Sequence, residues 1–204
     1  MIPAALPIVV AITGASGAPY AVRLVETLLA AGCDLHLTVS PSGRTVLATE
    51  TDRLVDLDRF DVGALLGRSP PLAGRCTYHH HQNLMAPIAS GSFLTAAMVI
   101  CPCSGSTLSA VAHSMGQNLI HRAAEVHLKE RRRLVVVPRE TPLSLPHMRA
   151  MQAIHEAGAV VLPAAPGFYH GASSVADLVD FIVARICDQL GVRNDLVRRW
   201  GEAT

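Results

Sequence analysis

Three stretches of the chain concentrate side chains with usable chemistry. T-G-A-S-G-A (13–18) follows the apolar run PIVVAIT, and its residues are small enough for backbone to approach a ligand. If a helix starts there, its first N–H groups face an anion. C-P-C-S-G-S-T (101–107) ends a second apolar run and sets the hydroxyls of Ser104, Ser106 and Thr107 around Gly105. Each stretch is an anion cradle in type, and each is equally a plain strand-to-helix turn with a serine cap. The third is NLIHRAAEVHLKERRRLVVVPRE (118–140), where Arg122, Lys129 and the basic run 131–133 read as helical. Arg139 and Glu140 stand just past its apolar strand, at the ligand-binding end of a parallel sheet. Glu140 there can hold a guanidinium, act as an acid–base group, or form a surface ion pair worth little.

Two other chemistries fail on spacing. A short-chain dehydrogenase, suggested by T-G-A-S-G-A, needs a tyrosine with a lysine four residues on, which lowers the phenol's pKa. Tyr20, Tyr78 and Tyr169 are followed at that distance by Leu24, Gln82 and Ser173. A zinc site would need a second cysteine pair beside Cys101 and Cys103, and Cys33, Cys76 and Cys187 are scattered. The two thiols therefore read as buried strand-end groups. His79, His80 and His81 cannot easily converge on one ion from an extended chain and read as a polar loop. No metal site is expected.

Elements that would position these residues alternate along the chain. Short, mostly β-branched runs at 7–13, 34–40, 76–80, 97–102, 134–138 and 159–163 read as strands. Helical patterns fit at 18–31, 43–51, 104–114, 118–132, 145–158 and 174–190. Gly32 and Gly158 supply left-handed stops, and Ser174 with Asp177 forms an S-x-x-D capping box. Strands apolar on both faces, such as VVAIT, MVICP and LVVVP, must be covered by helices on each side. The expected fold is a single-domain, three-layer α/β/α doubly wound sheet, Rossmann-like, over 1–192. Residues 52–75 read as a loop or insertion, and 193–204 as a polar tail whose Trp200 docks on its own domain or on a neighbouring subunit.

Composition limits the partners. With 17 basic against 16 acidic residues and a net charge of +1, the chain has no general field for nucleic acid or an anionic membrane. No apolar run approaches the ~18–20 residues of a membrane helix, and the opening MIPAALPIVVAITGASGA lacks a signal peptide's basic start. A cytoplasmic protein is the expectation. Half of the 204 residues are hydrophobic and only 16% charged, an excess that reads as buried subunit interface.

As a set, ITGASGAPYAVRLVETL, IASGSF, CPCS-x-x-TL, NL-x-x-RAA-x-V-x-LKERR-x-LV-x-VPRE-x-P, GAV-x-LP-x-x-PGFYH and DLVDFIVARI-x-DQLG resemble the UbiX family of flavin prenyltransferases. The resemblance covers almost the whole chain, and VPRE, LKERR and GFYH in this order and spacing are specific to it. It implies a branch of the flavin-containing cysteine decarboxylase fold, assembled as a dodecamer. The implied reaction joins a dimethylallyl group from dimethylallyl phosphate to N5 and C6 of reduced FMN without a metal. The product, prenylated FMN, serves UbiD-type decarboxylases.

By position, the resemblance assigns FMN contacts to Gly14, Ala15, Ser16, Ser40, Ser104, Gly105, Ser106, Thr107 and Arg139. It places Lys129, Arg139, Tyr169 and Arg185 near the donor phosphate, where cations stabilise the departing charge. It gives acid–base or other catalytic roles to Ser16, Glu50, Arg122, Lys129 and Glu140. Pro41 stands where relatives commonly have lysine and Asn83 where they have aspartate, while Gly105 and Ser106 fill a variable pair. Two alternatives share the fold: an FMN-dependent cysteine decarboxylase and a non-catalytic FMN-storage subunit. The first normally carries a P-A-S-A-N-T-like loop in place of CPCSGST, and the second has no use for Lys129, Glu140, Tyr169 and Arg185.

Overall fold

Every residue of Ile8–Ile12 (β1) is buried, as a strand covered on both faces must be. The other strands are Leu35–Val39 (β2), Cys76–Tyr78 (β3), Ala97–Cys103 (β4), Arg133–Pro138 (β5) and Val160–Val161 (β6). They make one all-parallel sheet of order β3-β2-β1-β4-β5-β6 in this computed structural model, which describes residues 6–67, 73–199 and 201. Strand parity divides the interior. Ile8, Val10 and Ile12 face a core shared with Ala18–Ala30 (α1), Pro41–Thr51 (α2), Val62–Leu66 (α3) and Val175–Leu190 (α7). Val9 and Ala11 face the other side, against Gly105–Ala112 (α4), Leu119–Lys129 (α5) and Leu145–Glu156 (α6). The three-layer, doubly wound expectation is met.

Local chemistry fixes most element ends. Pro41 and Pro146 occupy first-turn positions, where the missing N–H costs nothing. Ser40, Ser104, Asn118, Ser144 and Ser174 each cap a helix, and Asp177 completes the capping box on α7. Gly32 and Gly158 have φ of 81° and 103°, the left-handed geometry their helices need in order to stop.

Several expectations require correction. Residues 52–75 are not simply a loop, because α3 forms there under an Asp61 cap whose carboxylate accepts from the Ala64 N–H at 2.9 Å. The helix expected to run to 132 ends at Lys129, and Arg131 turns left-handed with φ 52°, so the basic run leaves the helix and Arg133 opens β5. His79 is buried rather than part of a polar loop: its Nε2 meets His36 Nδ1 of β2 at 2.7 Å. Trp200 and part of the tail lie outside the described residues. Among the described residues no helix is long and apolar enough to cross a membrane.

Candidate functional site at the carboxyl ends of the first and fourth strands

The strand order reverses between β1 and β4, and the crevice beyond their carboxyl ends is where ligands of such sheets bind. Thr13, 1% exposed, ties the two strand ends together. Its hydroxyl donates to the Pro102 carbonyl at 2.7 Å and accepts from the Ser104 N–H at 2.8 Å. The T-G-A-S-G-A and S-G-S-T turns are therefore one rigid unit.

The first turn already holds an anion. Glu50, at the far end of α2, brings one carboxylate oxygen within 2.8 Å of both the Gly17 and the Ala18 N–H groups. These are the positive groups that an open helix N-terminus would offer a ligand. Partial burial pushes the Glu50 carboxyl up, but the Ser16 hydroxyl, those two N–H groups and the nearby Arg139 guanidinium together pull it below its ordinary value. Arg139 Nε donates to the Ser16 carbonyl at 3.3 Å, which sets the cation over the same turn. Ser16, Glu50 and Arg139 thus form one cluster. A β-carbon on Gly14 would come within 2.4 Å of Ser42 Cβ, and one on Gly43 within 2.7 Å of the Ile12 carbonyl, so glycines let α2 close on β1. Ser40 caps α2 through Gly43 N–H at 3.0 Å, and its hydroxyl lies 3.2 Å from that of Ser42.

The second turn is open. The Ser104 hydroxyl accepts from Thr107 N–H at 3.3 Å, lies 3.2 Å from the Ser106 hydroxyl and donates to Thr107 Oγ1 at 3.0 Å. No carboxylate reaches this turn among the described residues. The first backbone N–H groups of α4 have no intrahelical acceptor. Burial pushes the neighbouring Cys101 thiol up, and that of Cys103 to about 12, so both are inert structural groups rather than nucleophiles. The phenol of Tyr20, beneath the first turn, is raised by burial and by Cys101, against the lowering effect of Arg139.

The remaining expected residues fall elsewhere. Tyr169 and Arg185 line one cavity of about 110 Å³ with Phe181, Asp188, Arg198 and Arg199. Tyr169 packs edge-on with Phe181, while the adjacent Phe168 is 75% exposed. Arg185 is exposed and ion-paired with Asp188 at 3.1 Å, instead of reaching inward for a buried anion. The Glu140 carboxylate accepts from the next N–H in the chain, at 3.3 Å, rather than holding Arg139. Arg122 donates to the Ala89 carbonyl at 3.0 Å, and Lys129 pairs with Glu130. Lys129 closes α5 just before the amino end of β5, whereas Arg139 follows its carboxyl end. The six residues of β5 span roughly 20 Å, so one chain does not bring the two cations together.

Asp188 and His147 escape the sequence reading, which takes Thr13 only as the start of a cradle and Tyr20 only as a tyrosine lacking a lysine one turn on. Thr13 ends an apolar run with a hydroxyl, a weak signal in isolation. His147 reaches α4 from the first turn of α6, a proximity no spacing reveals.

Residues 4–187 match the Flavoprotein family. The curated flavin prenyltransferase UbiX of Pseudomonas aeruginosa is 50% identical over 196 residues, covering 96% of this chain and 94% of that protein. A UbiX protein solved with FMN and dimethylallyl pyrophosphate superposes with a TM-score of 0.87 at 37% identity, over 98% of this chain and all of the other. A dodecameric FMN-dependent UbiX-like decarboxylase from Escherichia coli O157:H7 gives 0.85 at 36% identity, over 97% of this chain and all of the other. With this extent of identity and coverage, the chain belongs to the flavoprotein family and, within it, to the UbiX flavin prenyltransferases.

Proposed function

We propose that the protein transfers a dimethylallyl group from dimethylallyl phosphate or its diphosphate to reduced FMN, giving prenylated FMN for a UbiD-type decarboxylase in the cytoplasm. The observation that carries this reading is the pairing of an open, hydroxyl-lined turn at Ser104–Thr107 with a reactive cluster of Ser16, Glu50 and Arg139 on the adjoining strand. Membership of the UbiX family supports it.

The residues fit a flavin mononucleotide. Its phosphate requires hydroxyls and helix N–H groups, and the second turn has both. Gly14, Ala15, Ser16 and Ser40 line the approach from β1 and β2, and Gly105 and Ser106 open α4. Bound reduced flavin supplies the nucleophilic nitrogen and ring carbon that accept the prenyl group.

The chain's own groups then have defined work. Arg139 spends one donor on the Ser16 carbonyl, which fixes its plane and leaves the others for a departing phosphate. As the allylic carbon–oxygen bond lengthens, negative charge grows on that phosphate and guanidinium donors stabilise it. The Glu50 carboxylate, anchored by two N–H groups and lowered by the neighbouring Ser16 hydroxyl, is the proton acceptor of this cluster, with Ser16 as its relay. Glu140, next to Arg139, is a second acidic group at the same strand end.

Tyr169 and Arg185 share one cavity and give the donor phosphate a second set of polar contacts. Arg122 and Lys129, seven residues apart on the half-exposed side of α5, enter the same site only if a neighbouring copy presents them. The dodecameric relative is consistent with such an assembly.

Anaerobic incubation with reduced FMN and dimethylallyl phosphate, followed by mass spectrometry of the extracted flavin, tests the reading. The expected product is heavier by one C5 unit. Unmodified flavin on folded, flavin-loaded protein overturns it. Coexpressed Lys129→Ala and Arg139→Ala chains test the shared site: mixed oligomers regain activity at positions where intact residues from two copies meet.

A further inference from the structure

His147 has no role in the assignments above, yet it stands at the mouth of the second turn. It sits in the first turn of α6, held by its N–H donating to the Ser144 cap at 3.4 Å. A β-carbon built on Gly105 would come within 2.2 Å of His147 Nε2, so the imidazole rests directly on the first residue of α4. A side chain at 105 would displace it.

The other ring nitrogen explains how the imidazole is oriented chemically. Nδ1 is buried and has no hydrogen-bond partner. A buried N–H without an acceptor is among the rarest groups in folded proteins, and a buried lone pair is tolerated better. An Nδ1 without an acceptor favours the tautomer that carries its proton on Nε2, which places a donor beside Gly105. Both α4 and α6 begin here, so two positive helix ends flank that donor. The nearby Ser104, Ser106 and Thr107 hydroxyls are bonded among themselves, and no acid neutralises the group among the described residues.

We propose that His147 is a phosphate-recognition residue of this turn, donating Nε2–H to a phosphate group seated at the N-terminus of α4. The proposal rests on the reading of Ser104–Thr107 as part of the FMN site. The phosphate belongs either to FMN or to the prenyl donor, and both present the same tetrahedral dianion chemistry. Gly105 acts through His147: its lack of a side chain lets the donor sit against the helix start.

The test measures flavin binding without turnover first and steady-state kinetics second. FMN and riboflavin are titrated into apoprotein and followed by flavin fluorescence for wild type, His147→Ala, His147→Gln, Gly105→Ala and Ser104→Ala. Loss of one hydrogen bond to a charged group predicts FMN binding about tenfold weaker in His147→Ala, with riboflavin binding unchanged. His147→Gln, whose amide N–H falls near the same place, recovers part of the loss, and Gly105→Ala reproduces it. Unchanged FMN affinity with a KM for dimethylallyl phosphate raised about tenfold assigns the same contact to the donor phosphate. Equal weakening of FMN and riboflavin, or no change in FMN affinity and donor KM, overturns the proposal. Ser104→Ala separates the two levels of inference: if it leaves FMN binding intact, the cofactor-site reading fails, and if it alone weakens FMN binding, only the role of His147 fails.

Discussion

The turns after β1 and β4 look alike in sequence and differ in what fills them. Each follows a buried parallel strand, each combines small residues with serine, and each starts a helix. In the first, Glu50 arrives from 33 residues away and occupies the N–H groups of Gly17 and Ala18. In the second, the hydroxyls of Ser104, Ser106 and Thr107 bond one another and the Thr107 N–H, all within the turn. An anion cradle is thus defined by what the rest of the fold leaves unsatisfied. The filled turn presents a fixed carboxylate and so suits proton handling, and the open turn suits ligand phosphate.

Substitutions can break this division of labour. The largest effect is expected from Glu50→Gln, which keeps an acceptor for the two N–H groups but removes the proton acceptor. Prenylation should slow by about 10²- to 10⁴-fold while FMN affinity stays within about twofold, read by single-turnover kinetics and fluorescence titration. Parallel loss of binding and rate would merge the two turns into one site. Next in size, Ser104→Ala and Thr107→Val should each weaken FMN by roughly tenfold, with little change in the chemical step once flavin is saturating.

Gly43→Ala probes the packing that delivers Glu50. Its new β-carbon would meet the Ile12 carbonyl, a backbone atom that cannot step aside, and overpacking of this kind costs about 1–3 kcal/mol. A lowered Tm, with prenylation falling before flavin binding, is the expected pattern. The smallest effect concerns pH. Because the folded-state carboxyl of Glu50 lies below its ordinary value of 4.5, it adds stability that is present above that value. This stability disappears as pH falls through the depressed folded value. Thermal unfolding of wild type and Glu50→Gln should therefore converge on acidification below about pH 4.5, since the glutamine form has nothing to protonate there. A constant difference across that range removes Glu50 from the first turn in solution.

The layered fold was legible because β1, β4 and β5 are apolar on both faces and helices of two to four turns separate the strands. What escaped depends on distance or brevity. Five residues of α3 are too few to show a helical period, and only Asp61 signals their start. The burial of His79 follows from β2 and β3 lying side by side, which puts His36 against it. Arg131 has a basic side chain suited to a helix, yet its left-handed backbone ends that helix. At the site, the serine-rich turns and Arg139 could be found from their place after strands. Glu50 closing the first turn and Asp188 holding Arg185 could not, since each contact joins elements whose approach is set by the whole sheet. The resemblance to relatives pointed to both Glu50 and Arg185 without supplying the reason.

The Thr13 hydroxyl, bonded at once to the Pro102 carbonyl and the Ser104 N–H, bears on portability. The loop 101–107 is not a self-contained cassette. Its entry angle is set by a residue nearly ninety positions upstream, so grafting it onto another parallel sheet would require a threonine at the end of the neighbouring strand. Designers borrowing this turn would have to move two strands together.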